Sequence, residues 1–310
     1  MHQKIKDEIK DIKSLKIQGA RNVAKAALDA LILQARLSKA KNIHYYVKEL
    51  TAVKEILAYS RPTEPMMRNL LDDAIDFLVV ESKKVKSMDE LREIFVRREK
   101  EVIERLDQDA KKIYEYGARL IPKGYTVMTY CHSSTVTGIL KKAREKDRTL
   151  KVIVCETRPR YQGRITAKEL AEAGIDTTLI VDGAVNMFMK KTDLVLVGAD
   201  SVTSRGDLIN KVGTSTLAHI ARMHDVSFYS AAELFKYSRK TFEGELEKIE
   251  ERDKKEVWED APKKVKIRNP AFDVTSAKYI NGYITEVGVI PPQSFFALAT
   301  EKLGLKIFGR

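Results

Sequence analysis

A change of pattern near Gly124 constrains the fold most. Before it, apolar residues recur at helical spacing in a stretch rich in Ala, Leu, Lys and Glu, with Val23, Ala26, Ala27, Ala30 and Leu31 on one face. After it, short β-rich runs alternate with segments of helical length. Parallel strands need a long crossover, and a helix usually supplies it, so this alternation predicts a parallel sheet covered by helices. The chain is expected to be α/β, with a helical domain over residues 1–118 and a sheet domain over 119–310. Its 310 residues suit two cores of ~150 residues each.

Strands are expected at Tyr125–Tyr130, Lys151–Cys155, Thr177–Val181, Asp193–Val197, Ser227–Ser230 and Tyr283–Val287. Helices are expected at Gly138–Glu145, Ala167–Ala173 and Thr214–Met223. In the first third, Arg61-Pro62-Thr63-Glu64-Pro65 breaks the helical pattern, because each proline removes a donor and pushes the preceding residue to extended geometry. Met88–Ala118 reads as one long amphipathic helix joining the domains, with Leu91, Ile94, Phe95, Val102, Ile103 and Leu106 as its stripe. The charge-dense Arg239–Asn269 reads as a solvated excursion with an exposed helix at Glu245–Lys255.

No apolar run approaches the ~20 residues needed to span a bilayer. The N-terminus alternates charges at helical spacing without a signal-peptide core, so a cytoplasmic address is expected. Cys131 and Cys155 are too few for a disulfide framework and form no C-x-x-C pair. A net charge of +12 favours anionic partners without choosing among nucleic acid, acidic protein and phosphorylated metabolite. General nucleic-acid binding has no aromatic-basic motif behind it. G-x-G-x-x-G and H-E-x-x-H are absent, and His219 and His224 do not share a helix face, so no dinucleotide cofactor or metal is expected.

In an open parallel sheet, ligands bind beyond the carboxyl ends of the strands. Here those ends carry Cys131-His132-Ser133-Ser134, Glu156-Thr157-Arg158-Pro159, Asp182-Gly183, Gly198-Ala199-Asp200 and Glu286. A thiol at a strand-to-helix junction can serve as acid, base or nucleophile, or simply be a small hydrophobe. Cys155, ending an apolar run, fits the second description. Asp200 can carry a proton or cap a turn. Asn210-Lys211-Val212-Gly213-Thr214-Ser215 offers a lysine and hydroxyls ahead of a helix, a phosphate cradle without Walker spacing. Gln18-Gly19-Ala20-Arg21 also opens a helix, with Arg21 or Arg61 as counter-charge.

Arg61-Pro62-Thr63, Cys131-His132-Ser133-Ser134, Glu156-Thr157-Arg158-Pro159 with Gln162-Gly163, Gly198-Ala199-Asp200, Asn210–Thr214 and Asn269-Pro270-Ala271-Phe272-Asp273 occur in one order and spacing. Together they resemble the superfamily uniting the alpha, beta and delta subunits of translation initiation factor 2B with sugar-phosphate aldose–ketose isomerases. Within it the chain is most similar to the archaeal ribose-1,5-bisphosphate isomerases, which act in nucleoside monophosphate degradation. The resemblance implies a Rossmann-like C-terminal domain, dimers that build a hexamer, AMP as activator and no cofactor. Cys131 and Asp200 match the catalytic positions, the cysteine by family convention accepting a proton and the aspartate donating one. Gln18, Gly19, Ala20, Arg21, Arg61, Ser133, Gln162, Asn210, Lys211 and Lys236 match substrate-binding positions, and a second phosphate would account for Arg158, Arg160 and Arg164.

One departure stands out. The family's isomerases carry arginine where this chain has Gln18, and glycine where it has Arg21. A neutral amide cannot make the bidentate phosphate contact of a guanidinium, at a cost of ~1–3 kcal/mol unless Arg21 replaces it. The rival readings are a methylthioribose-1-phosphate isomerase, with an apolar pocket for the second phosphate site, and a regulatory subunit contacting initiation factor 2. The regulatory subunits generally lack the thiol–aspartate pair, so its presence here favours an enzyme.

Overall fold

The structure, a computed structural model, describes residues 2–302 except for Leu15, Gln18, Pro62 and Thr63. The chain divides into two compact units, Met1–Gln108 and Asp109–Arg310.

The first unit is helical: α1 (Gln3–Lys13), α2 (Ala20–Leu37), α3 (Ile43–Ser60), α4 (Pro65–Glu81) and the start of α5 (Met88–Leu120). Of the expected face α2 buries Val23, Ala27, Ala30 and Leu31 and leaves Ala26 half-buried; it also buries Ala24, Leu28 and Ala35 and packs on α1, α3 and α4. Pro65 occupies the first turn of α4, where its missing N–H costs nothing. α5 buries Leu91, Phe95, Val102 and Leu106. The expected boundary at 118/119 falls inside this helix, because its last turns put Ile113 and Ala118 into the core of the second unit.

Glu99 lies in the same buried stripe of α5, wholly inaccessible and paired with Arg98 at 2.7 Å. Burial pushes its carboxyl up to about 7 against the pull of Arg98. A carboxyl whose folded value lies above its unfolded value stabilises the protonated fold, and this contribution is lost as pH rises through about 7. Glu99→Gln is therefore expected to raise stability at pH 8 by ~1–3 kcal/mol and to change little near pH 4. Thermal melts of both proteins at the two pH values check this, and equal melting at pH 8 would refute it.

The second unit is built on a seven-stranded sheet. Its strands are β1 (Thr126–Tyr130), β2 (Lys151–Cys155), β3 (Asp176–Ile180), β4 (Leu194–Val197), β7 (Ser227–Ala231), β9 (Gly282–Thr285) and β10 (Gly288–Ile290), in the order β3-β2-β1-β4-β7-β9-β10. Only β10 runs antiparallel. Alternate residues enter opposite cores. Val127, Val152 and Val154 face α6 (Ser134–Lys146), α7 (Gln162–Glu172) and the end of α5, where Val136, Ile139, Leu140 and Leu170 meet them. Met128, Tyr130, Ile153 and Cys155 face the other side, with α8 (Val185–Met189), α9 (Thr214–Met223) and α11 (Phe295–Lys302). With both faces covered, the central strands read as continuous apolar runs.

Three further strands, β5 (Ser201–Val202), β6 (Leu208–Lys211) and β8 (Phe272–Thr275), form a small antiparallel sheet that sequence reading did not anticipate. Asn210 and Lys211, read only as lying ahead of a helix, end β6. The excursion also departs from expectation. It holds the short α10 (Arg239–Phe242), but Glu245–Lys255 is not an exposed helix, and only a single 3₁₀ turn forms at Lys254–Glu256. Instead the chain runs beside the approach to β8: the Ala271 N–H donates to Glu250 O at 2.8 Å and the Arg252 N–H to Asn269 O at 2.9 Å. A helix there would have no apolar stripe to bury. The extended path packs Ile249 against Ile209, Ala271 and Phe272.

Candidate active site

From β1 the strand order runs one way through β2 and β3 and the other way through β4 and β7, so the switch point lies between β1 and β4. Crossovers diverge to opposite faces there and leave a crevice at the carboxyl ends. Cys131 is the first residue past β1, and Asp200 the third past β4. The two expected proton carriers thus border one crevice.

Cys131 has φ +67°, a left-handed conformation that costs a non-glycine residue ~1–2 kcal/mol. Its N–H donates to Thr157 Oγ1 at 2.9 Å, and its carbonyl accepts from Thr166 Oγ1 at 2.9 Å. Ser133 follows as the N-cap of α6, its Oγ accepting from the Val136 N–H. Gly198 packs so close to Ser133 that an added Cβ would lie 2.8 Å from the serine side chain, which ties the ends of β1 and β4 together.

Asp200 is fixed by the small sheet, its N–H donating to Ile209 O at 3.0 Å. Next along β6, Asn210 Nδ2 donates to Thr214 Oγ1 and Lys211 is buried. The turn into α9 passes Gly213 at φ +105°, where a Cβ would meet Tyr130 Oη at 2.2 Å. Asp273 of β8 accepts from the Gly213 N–H at 2.7 Å and the Ser215 N–H at 3.1 Å. Burial pushes the Asp273 carboxyl up to about 6 even so. These bonds explain why Asn269–Asp273 accompanies Asn210–Thr214: one motif holds the other.

Lys236 lies in a buried turn after β7, paired with Glu233 at 2.9 Å. Tyr237 beside it bridges to Val202, two residues past Asp200. Glu286, expected on the same face, serves this turn instead. It accepts from the Leu234 N–H at 3.1 Å and pairs with Lys302 at 2.9 Å. Gln162 opens α7 with its Oε1 buried and without a hydrogen-bond partner among the described residues.

The electrostatics join these groups. Burial pushes the Cys131 thiol up to about 11; the Lys211 ammonium pulls it down, the Asp200 carboxylate pushes it up, and the His132 N–H and Arg252 also favour the thiolate. Burial in turn lowers Lys211, while Cys131, Asp200 and Glu250 favour its charge and Arg252 opposes it. A thiol and a carboxylate thus share the field of one buried ammonium, an arrangement suited to moving protons at a carbon next to a carbonyl. Cys155 is wholly buried, with burial and Asp182 raising its thiol to about 12, as its apolar setting predicts.

Three arginine assignments change. Arg164 pairs with Glu156 at 3.0 Å and stacks over Tyr161, while Arg158 donates to Tyr161 Oη and Val257 O. Arg160 lies 3.5 Å from Glu256. Arg158 and Arg160 tie the excursion to the segment after β2, and Arg164 is engaged within that segment, so a second phosphate is not needed to explain them. The cation that sequence reading missed is Arg252, half-buried over the same Phe272 ring as Lys211 and paired with Glu250 at 3.2 Å. Its signal was hidden by a charge-dense stretch whose extended pairing leaves no periodic trace.

In the first unit, Gly19 caps α2 at φ +85°, followed by buried Ala20 and half-buried Arg21. Arg61, just past α3, binds Glu64 at 2.9 Å through Nη2, and its buried Nε and Nη1 have no hydrogen-bond partner among the described residues. A buried guanidinium with two open donors suits an anion. Gln18 lies outside the described residues. Among the described residues no group of three His, Cys, Asp or Glu side chains could hold a metal ion.

A Rossmann-like sheet with a cysteine and an aspartate on the strand ends that border its switch point defines the class. Residues 16–292 match the Initiation factor 2 subunit family, and the chain belongs to it. It is 41% identical to the ribose 1,5-bisphosphate isomerase of Archaeoglobus fulgidus, over 97% of this chain and 94% of that one. Among solved structures it resembles translation initiation factor eIF-2B from Pyrococcus horikoshii OT3, with TM-score 0.79 and 28% identity over 94% of this chain and 98% of that one. It also resembles 5-methylthioribose 1-phosphate isomerase from the same organism, with TM-score 0.76 and 30% identity over 97% and 87%.

Proposed function

We propose that the protein is an aldose–ketose isomerase that converts ribose 1,5-bisphosphate to ribulose 1,5-bisphosphate. The observation that carries this reading is Cys131 and Asp200 flanking the switch point within the field of Lys211. The reaction breaks the bond from C1 to the ring oxygen, which takes a proton; C2 then loses its proton, and C1 gains one as the enol becomes the ketone. Asp200 gives the ring oxygen its proton; Cys131, as thiolate with Lys211 stabilising the charge, takes the C2 proton and returns it to C1, and Asp200 recovers its proton from the C2 hydroxyl as the ketone forms. In the second unit Ser133, Gln162, Asn210, Lys211 and Lys236 bind the substrate; in the first, Arg61 and the start of α2 offer donors for an anion. Dimers forming a hexamer, activation by AMP, a cytoplasmic address and a role in nucleoside monophosphate degradation complete the reading. No described helix is long and apolar enough to cross a membrane.

The engagement of Arg158, Arg160 and Arg164 by protein groups favours a second reading, methylthioribose-1-phosphate isomerase, which needs no second phosphate site. Assaying the purified protein with each sugar phosphate, with and without AMP, separates the two. The first reading expects turnover of the bisphosphate at least ~100-fold more efficient than of the methylthio sugar, the discrimination expected when buried cations lose a charged partner. The reverse preference installs the second reading. Turnover of neither overturns both, and binding to initiation factor 2 would then support the regulatory one.

A further inference from the structure

We infer that Thr157 and Thr166 are positioning residues that clamp the backbone of Cys131 from both sides and aim its thiol into the crevice. Neither belongs to the expected set of site residues, and the inference rests on the reading of Cys131 as the proton acceptor.

The chain past β1 could relax in many ways, yet Cys131 is held at φ +67°, where a residue with a Cβ rarely sits. Such a conformation persists only when its surroundings over-determine it, and here they do so through two hydroxyls. Thr157, fully buried at the end of β2, accepts the Cys131 N–H at 2.9 Å and donates its own proton to Cys155 O at 3.0 Å. Thr157 is itself left-handed, at φ +64°, and its N–H is bound to Asp182 Oδ1 at 2.8 Å. The clamp therefore continues from β1 through β2 to the end of β3. On the other side Thr166, 1% exposed on α7, donates to the Cys131 carbonyl at 2.9 Å. Its oxygen also lies 3.1 Å from His132 Nδ1. Since the Thr166 proton is spent on the carbonyl, Nδ1 is the donor in this contact, which fixes the neutral tautomer with its proton on Nδ1. Every polar backbone atom of Cys131 is thus bound by a buried threonine reaching in from the neighbouring βα unit.

Hydroxyl and methyl contribute separately, so each threonine can be tested by two substitutions. Thr→Val keeps the shape and deletes the hydroxyl, and Thr→Ser keeps the hydroxyl. For Thr157→Val and Thr166→Val, kcat for the sugar phosphate is expected to fall ~10–100-fold with KM within ~3-fold, because the thiol is misplaced while the binding groups stay. Alkylation of Cys131 by iodoacetamide should slow by a similar factor, and the serine variants should recover both rates to within ~3-fold of wild type. Folded valine variants that keep wild-type kcat and alkylation rate, or serine variants no better than valine, would overturn the clamp. Should the valine variants not fold, hydrogen exchange at the Cys131 amide of wild type decides: protection supports the clamp, and exchange at the rate of an open loop refutes it. Alkylation and exchange need no substrate, so a wild type that turns over no sugar phosphate would defeat the isomerase reading and leave the clamp to be judged by these readouts.

Discussion

Cys131→Ser is expected to lower turnover of ribose 1,5-bisphosphate by ~10³–10⁴-fold, and Asp200→Asn by ~10²–10⁴-fold, the range a positioned acid or base contributes. The serine hydroxyl is nearly isosteric with the thiol, but it does not ionise in the pH range where a thiol does, so the variant keeps the shape and loses the base. Burial sets the Cys131 thiol at about 11 before substrate arrives, and the thiolate that forms depends on Lys211 beside it. Turnover of wild type should therefore rise with pH above neutrality, with the thiolate fraction, until another group limits the rate. KM should change little in both variants, since neither group is asked to hold a phosphate. Steady-state kinetics of the three proteins from pH 6 to 10 make the test. A serine variant with more than a tenth of wild-type kcat would remove Cys131 from proton transfer. A flat pH profile in wild type would show that the thiol is not the limiting base.

The crevice was legible in the sequence because topology, rather than side-chain detail, places it. Once Lys151–Cys155 and Asp193–Val197 read as buried parallel strands, the residues after them had to gather at one edge. The structure sets β2 at Lys151–Cys155 and β4 at Leu194–Val197. Thr214–Met223 was equally clear from its helical length and spacing, and α9 has those bounds. What escaped was short or aperiodic. β5 has two residues, and β6 ends in the polar pair Asn210-Lys211, so neither leaves the alternation that marks a strand. Yet that small sheet holds Asp200 and Lys211 in place.

The excursion shows the same limit in another form. Glu245–Lys255 has charges at helical spacing but no face to bury, and its backbone pairs with Asn269 and Ala271 instead. That pairing brings Arg252 to Phe272 and the crevice, an outcome set by contacts some twenty residues away in the chain. Thr157 and Thr166 were hidden differently. A threonine looks alike in sequence whether its hydroxyl faces water or binds a strained backbone, and only the left-handed turn at Cys131 gives it a task.

The largest loss of stability is expected from a single methyl group, in Gly163→Ala. Gly163 is the second residue of α7, and its N–H donates to Glu156 O at 3.1 Å. A Cβ there would stand 1.8 Å from the Cys155 carbonyl oxygen and 2.8 Å from its carbon. Those atoms belong to the central strand β2, whose backbone is tied to β1 and β3 on both sides, so the strand cannot yield. α7 must retreat instead, loosening Leu170 from its core and drawing Thr166 away from Cys131. Overpacking that side chains can absorb costs ~1–3 kcal/mol; against fixed backbone the loss should exceed ~4 kcal/mol, or roughly 8–16 °C in Tm for a unit of this size. Gly174→Ala is the control. Gly174 has φ +72° but open space around its Cβ position, so it should cost only the ~1–2 kcal/mol of a left-handed alanine. Thermal melts of both variants separate steric exclusion from conformational strain. A Gly163→Ala protein that melts within 2–3 °C of wild type, a shift worth only ~1 kcal/mol, would mean that α7 does not rest on β2 as described.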